Sequence, residues 1–514
     1  MNITVENMIN KISKWFNKDR KIIFLTTFII GMIVHFELYA NELLYIDGYW
    51  HYGSFLSKGW EVSLGRYGLP FVDMFRGTLV VSILTTTISI IIISFTGIIL
   101  VELLKVKKTY IKILISILLV VTPTFSLTLM YPFTADGYTL AMFFSVLTVY
   151  IFRQKQTFKY LFLSIICLII SLSLYQAYLC VTISLFIITY MLELITNKEL
   201  TKKQFFREFI HSIVVVLVGL VFYYIIFNII LKVLNLNITE YSGGSKVLSI
   251  ETLKNIIPSI KNTYITFYEF YFKDTILYNT EFWHRHILNV IILLLTIINF
   301  IIIMYENKTY KQIYKLIIMI VLMVTLPVFL CVIQLIAQQR EMSLLMTTSL
   351  YLPFILLLKQ LDLLKINKLN NLLNMVGTIS ILLLIWSFIL SNNATYLVTK
   401  MYTNQMYSMG IQIMDKINSN KDYENKPVII IGNIEFNADN NRLKQLVNLN
   451  TTRADQSIYA AYYRNNIKVE KELYSSQEIA DEIRNTNEYM EMSIFPNENS
   501  IMLINDIVVV KIEY

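Results

Sequence analysis

The densest set of side chains able to do chemistry in this 514-residue sequence lies between Asn41 and Gly77, in NELLYIDGYWHYGSFLSKGWEVSLGRYGLPFVDMFRG. It carries Asp47, Arg66, Asp73 and Arg76 beside Trp50, Trp60 and six of the fifteen glycines. In the frame YIDGYWHYG, Gly48 permits close backbone approach, and Tyr49, Trp50 and Tyr52 offer faces that stack on a sugar ring or sit in a membrane interface. A carboxylate among apolar aromatics can have a raised pKa and take a proton from an acceptor hydroxyl. His51 falls one turn from Asp47 if the stretch is helical. The bland alternative for Asp47 is a solvated loop residue or a helix cap.

Other groups carry paired readings too. Arg66, Asp73 and Arg76 lie in LGRYGLPFVDMFRG. Arginine's planar fork suits a phosphate, whereas an interfacial helix would pair these charges with each other and with headgroups. Asp136, in TADG, has the chemistry of a tight turn. Tyr175 and Gln176 interrupt an apolar stretch, where they bind a sugar or turn the chain. Arg340 is an isolated cation that either holds a donor phosphate or snorkels to headgroups. The run Trp283-His284-Arg285-His286 suits an interfacial anchor better than a metal site.

The elements that must position these residues are membrane spans. Hydrophobic residues make up 55% of the chain and charged residues only 16%, far below the roughly 25% charge of a soluble domain, so the fold class is a mainly α, polytopic membrane protein. Apolar runs predict about eleven spans, near 21–40, 77–104, 111–130, 137–152, 159–175, 177–196, 210–232, 286–305, 314–336, 343–358 and 371–391. The net charge of +8 does not mark a nucleic-acid binder, because the lysines cluster between apolar runs. Alternate loops are basic: the N-terminus, 105–112, 153–159, 198–207, 308–315 and 359–368. The positive-inside rule makes that set cytoplasmic and turns the 41–77 loop, Asp136, Tyr175-Gln176, the long loop 233–285 and Arg340 outward. Cys167, Cys180 and Cys331 fall in apolar runs with neither disulfide nor zinc spacing.

Residues 1–391 thus read as the transmembrane domain and 392–514 as a small outward-facing α/β domain. In the latter, PVIIIGNIEF (427–436) reads as a strand, SQEIADEIRN (476–485) as a helix and IMLINDIVVVKIEY (501–514) as a hairpin. No Walker loop, GxSxG or HExxH occurs, and a sugar nucleotide would be on the wrong face for an outward site.

Together YIDGYWHYGSFLS, GRYGLP, YPFTADGYTLAMFFSVLTVY and SLYQAYL resemble the bacterial type II Gtr glucosyl transferases, which modify surface glycans. The resemblance implies a GT-C-like bundle in the bacterial plasma membrane and an undecaprenyl-phosphate-linked sugar as donor. It also implies a partner donor synthase, a small flippase, and a surface polysaccharide or teichoic acid as acceptor. By the same implication Asp47 matches the acidic residue of the first outer loop. Many relatives carry a paired acidic motif there, whereas this chain has Asp47-Gly48. Asp47 is then either a base acting alone or one ligand of a divalent metal (Mg or Mn) completed from elsewhere, with Asp136 as one candidate. Two other classes stay open, a surface-glycan polymerase and a lipid-linked glycan exporter; spans nearly free of internal charge argue against the exporter.

Overall fold

Long apolar runs with few glycines or prolines fold as helices, and their ends sort into two polar layers. The computed structural model describes residues 5–239, 255–273, 285–337, 342–433, 454–467, 469 and 471–512. The helices begin with α1 (Val5–Trp15), α2 (Lys18–Val34), α3 (Phe36–Ala40), α4 (Gly59–Ser63), α5 (Leu69–Phe75) and α6 (Ser82–Leu103). Next come α7 (Thr109–Val121), α8 (Pro123–Leu129), α9 (Ala135–Gln154), α10 (Phe158–Leu174), α11 (Leu179–Thr196) and α12 (Lys202–Leu234). After these stand α13 (Ile256–Tyr268), α14 (Arg285–Glu306), α15 (Ile313–Leu330), α16 (Ile333–Ala337), α17 (Leu352–Leu363) and α18 (Lys368–Ser419). The last three are α19 (Gln456–Asn466), α20 (Gln477–Arg484) and α21 (Asn487–Glu491).

Several starts are set by local chemistry. Asn17, Thr201 and Asn367 accept backbone N–H bonds from Arg20, Gln204 and Asn370, capping α2, α12 and α18. Pro123 cannot continue α7 and opens α8 at a bend of 49°. Against the eleven expected spans, eight helices among the described residues are long and apolar enough to cross a membrane, or nine if the bent pair α7–α8 is one span. The difference lies mainly in α2 and α10, which have 17 residues each and rise only about 26 Å, short of a hydrocarbon core of about 30 Å.

Inside the bundle α9 packs between α6 and α10, while α12 leaves most of its apolar surface outward. Small polar residues bring helices close: Ser145 Oγ meets Thr182 Oγ1 at 2.8 Å, and Ser171 Oγ donates to Ala141 O at 2.8 Å. The stretch 233–285, expected as a loop, contains α13, whose buried face is Ser259, Thr263 and Thr266 at helical spacing. Hydropathy misses this helix because its packed face is hydroxyl-bearing rather than aliphatic.

At one end of the bundle the basic loops pair internally. Arg20 meets Glu102 at 2.5 Å, Lys112 meets Asp19 at 2.7 Å, and Arg153 meets Glu193 at 2.6 Å and Glu208 at 3.0 Å. Lys359 meets Asp362 at 2.7 Å, and Asp362 also accepts the Lys108 amide at 2.7 Å. The opposite end gathers the 41–77 stretch, the α8–α9 corner and the Tyr175 turn.

The boundary expected between residues 391 and 392 falls inside α18, a continuous helix of 52 residues that rises about 78 Å. Beyond it, β3 (Val428–Ile431), β4 (Ile501–Ile504) and β5 (Ile507–Lys511) form a sheet in the order β3-β5-β4, after the short pair β1 (Gly53–Ser54) and β2 (Leu79–Val80) of the first loop. β3 runs parallel to β5, and β4 pairs antiparallel with β5 through Asn505 and Asp506, both at positive φ as a two-residue hairpin requires. One face of this sheet packs against α18 and α19, and the other against α20 and α21.

The 41–77 stretch is fastened to the bundle by a buried charge cluster. Arg76 donates to Asp136 Oδ1 at 2.5 Å, to Asp73 Oδ1 at 3.0 Å, to the Phe133 carbonyl at 3.1 Å and to the Leu79 carbonyl at 2.6 Å. Asp73 Oδ2 accepts the Ser57 amide at 2.7 Å and Asp136 Oδ1 the Gly137 amide at 3.0 Å, so the carboxylates are satisfied by more than charge. All three side chains are buried. Removing one member of such a set strands the other charges. Arg76→Met is therefore expected to cost about 3–5 kcal/mol, read as a lowered thermal midpoint in detergent. Adding Asp73→Asn and Asp136→Asn should restore much of the loss; an unchanged midpoint for Arg76→Met would contradict this account.

Candidate functional site

Asp47 lies on a six-residue 3₁₀ turn, Ile46–His51, entered from α3. The Tyr45 amide donates to Met130 O at 2.9 Å and the Tyr45 ring stacks on Tyr131 with centroids 4.8 Å apart. In a 3₁₀ turn residues i and i+3 eclipse, so Asp47 shares its side with Trp50, not with His51 as an α-helix would give. Both Asp47 and Trp50 are exposed.

Although Asp47 is exposed as a residue, the protein packed around it pushes its carboxyl above the usual range, and the Arg66 cation pulls it partly back. Arg66 itself rests on an aromatic shelf. Its guanidinium lies 5.2 Å from the Tyr175 ring centre and 5.7 Å from that of Tyr138, and it donates to the Tyr138 hydroxyl at 2.8 Å. Tyr138 and Tyr175 stack on each other at 4.1 Å. Glu61, buried beneath, is raised by burial and is also lowered in part by Arg66. Asp47 thus lies within electrostatic reach of Arg66, and Arg66 lies against Tyr175, although the three are distant in sequence.

The GRYG segment reaches this position through glycine. Gly65 has φ +87°, and a Cβ there would stand 2.6 Å from Gln176 Nε2 and also collide with the Tyr223 hydroxyl. Gln176 donates to Leu64 O at 2.7 Å and to the Tyr223 hydroxyl at 2.8 Å, and Tyr223 donates to Gly65 O at 3.0 Å. Gln176 therefore holds the backbone that carries Arg66.

Other residues singled out by sequence stand elsewhere. Tyr49 is buried, its ring edge against Tyr462 at 5.1 Å and its hydroxyl 3.1 Å from Thr403 Oγ1. His51 is half-buried between Phe55 and Phe133, with ring centres at 4.0 and 4.3 Å. Arg340 and the pair Trp283-His284 lie outside the described residues. Arg285 is buried in the bundle, donating to Ser391 Oγ at 3.1 Å and facing the Phe388 ring at 5.8 Å.

A metal pair of Asp47 and Asp136 does not fit this arrangement. Asp136 is engaged with Arg76 and the Gly137 amide, and among the described residues no group of three or more His, Cys, Asp or Glu side chains is set to hold an ion. Within TADG, Asp136 has the chemistry of a turn residue; its part in fastening the loop is hidden because its partner lies 60 positions earlier in the chain. Tyr131, Tyr138 and Glu61 also belong to the site; short-range spacing carries no signal for them.

The chemistry this arrangement supports is that of a raised, accessible carboxylate beside a cation held on aromatic rings. One takes a proton, and the other steadies an anion. His51 offers no third acid–base group near neutral pH, because burial lowers it from 6.5 to about 4. Between those values the unfolded chain binds the proton first, so this histidine's contribution to stability falls as pH drops from 6.5 toward 4. The raised carboxyls of Glu61 and Asp73 act in the opposite sense. His51→Phe should retain the ring packing and lose less stability than the wild type between pH 7.5 and pH 5, measured by thermal unfolding; equal losses would contradict the assignment.

Compared with known proteins, residues 36–358, well over half the chain, match the family model described as Glucosyl transferase GtrII. No curated protein and no solved structure matches.

Proposed function

From the membership of this chain in the Glucosyl transferase GtrII family, we propose that it moves a glucosyl unit from a polyprenyl-phosphate donor to a hydroxyl of a surface glycan on the outer face of the membrane. The observation that supports this most is an exposed Asp47 within electrostatic reach of Arg66, which itself rests on the stacked Tyr138 and Tyr175 rings at the bundle end opposite the basic loops. Lysine-rich loops favour the cytoplasm, which makes the Asp47 end extracytoplasmic. A donor available there must cross the bilayer on a lipid, as a polyprenyl phosphate does.

In the proposed reaction the acceptor oxygen attacks the anomeric carbon while its proton passes to Asp47. The bond from that carbon to the phosphate oxygen breaks, and its electron pair leaves with the polyprenyl phosphate. Attack opposite the leaving group inverts the anomeric centre. The leaving phosphate gains a negative charge as the bond breaks, and Arg66 is the cation that offsets it. Trp50, eclipsing Asp47, offers a face for a sugar ring. The glucosylated glycan, the free lipid phosphate and the proton taken by Asp47 account for all atoms.

The test is transfer of radiolabelled glucose from polyprenyl-phosphate glucose into envelope glycan, in membranes of a gene-deleted strain carrying each variant. Asp47→Asn should lower the rate by about 10²–10⁴ at unchanged protein abundance. The wild-type rate should rise with pH through a range above that of an ordinary carboxylate, as Asp47 loses its proton. Full activity of Asp47→Asn would refute its role as base.

A further inference from the structure

Resting on the reading of Asp47 as the base, we propose that the region after residue 358, outside the family match, completes the site by holding the Asp47 turn, with Tyr49, Thr403, Tyr462 and Asn465 as positioning residues. A 3₁₀ turn has poorer hydrogen-bond geometry than an α-helix and is seldom stable in isolation. This one is fixed on its entry side by Tyr45 against Met130 and Tyr131. On its other side the anchors belong to α18 and α19. The Tyr49 hydroxyl meets Thr403 of α18, its ring meets Tyr462 of α19, and its carbonyl accepts from Asn465 Nδ2 at 3.4 Å. Leu44 and Tyr49 lie in one buried apolar cluster with Tyr402, Met406, Ile458 and Tyr459.

α19 is in turn seated on α18. The Tyr463 hydroxyl donates to Met406 O at 2.9 Å, and Gly410 leaves the space that the Tyr463 ring and Ile467 fill. α18 is tied to the membrane bundle through His35, whose Nδ1 is 2.6 Å from the Tyr396 hydroxyl and whose Nε2 is 2.7 Å from Val120 O. Asn392 adds a bond to Val121 O at 2.8 Å. A continuous series of contacts therefore runs from bundle to α18, to α19, to Tyr49, two residues from Asp47. Misplacing a catalytic group by about 1 Å costs on the order of 10² in rate, so this support bears on turnover more than on donor binding.

The experiment uses the full chain in membranes of the gene-deleted strain, with polyprenyl-phosphate glucose as donor and rates normalised to protein abundance. Tyr462→Ala should lower kcat about tenfold and Asn465→Ala about threefold, each with donor KM within twofold of wild type, while Tyr462→Phe keeps the ring and the rate. Ile483→Ala, in the core on the far face of the β3-β5-β4 sheet, controls for general loosening and should leave kcat unchanged. Unchanged kcat in Tyr462→Ala, or an equal fall in Ile483→Ala, would overturn the proposal. If Tyr462→Ala fails to accumulate, Asn465→Ala decides, since it removes a single amide. Asp47→Asn in the same assay separates the two readings. An active Asp47→Asn removes the base assignment itself, whereas an inactive one beside a fully active Tyr462→Ala and Asn465→Ala removes only the positioning role.

Discussion

The arrangement depends first on Arg76. A guanidinium buried with two carboxylates would be costly if any lone pair or proton were left over, and here backbone groups of Ser57, Phe133, Leu79 and Gly137 satisfy what the charges do not. The three side chains come from α5, its C-terminal cap and the start of α9. Their pairing therefore fixes the far end of the 41–77 stretch to the helix whose first turn also carries Tyr138. Because all three members are buried, loss of one leaves the others as uncompensated buried charge, and this defines the loop's register on the bundle.

With that end fixed, the rest of the stretch is shaped by two further attachments. In the middle, Gly65 and Gly68 let the backbone lie against Gln176, Tyr223 and Ser173, which sets Arg66 over Tyr138 and Tyr175. At the start, Tyr45 and Tyr49 secure the turn that presents Asp47. The carboxylate and the cation that the proposed chemistry needs are brought together by groups that take no part in it. The proposed glycosyl transfer asks for a base beside the acceptor and a positive charge beside the leaving phosphate. A single loop anchored at three points carries both the carboxylate and the cation.

Much of this was legible in the sequence, for identifiable reasons. Apolar runs of sufficient length located the helices, and the Asn505-Asp506 dipeptide between β-branched runs located the hairpin. The 41–77 stretch stood out because polar and glycine residues are scarce elsewhere. What the sequence concealed were contacts between distant positions. Asp136 looked like turn chemistry because its partner Arg76 is on another element, and Tyr49 looked like a sugar platform because Thr403 and Tyr462 are more than 350 residues away. The helix α13 was hidden by a packed face of serine and threonine. His51 would share a face with Asp47 only in an α-helix, and the segment that follows Tyr45 is a 3₁₀ turn.

The central claim is that this chain adds a glucosyl unit to a finished surface glycan from outside the membrane. The most direct measurement is composition and linkage analysis of the surface glycan from cells with and without the gene. The account predicts that deletion removes one glucosyl substituent while chain length is unchanged, and that the full chain restores it. An unaltered glycan, or one shortened in its backbone with every substituent still present, would contradict the claim.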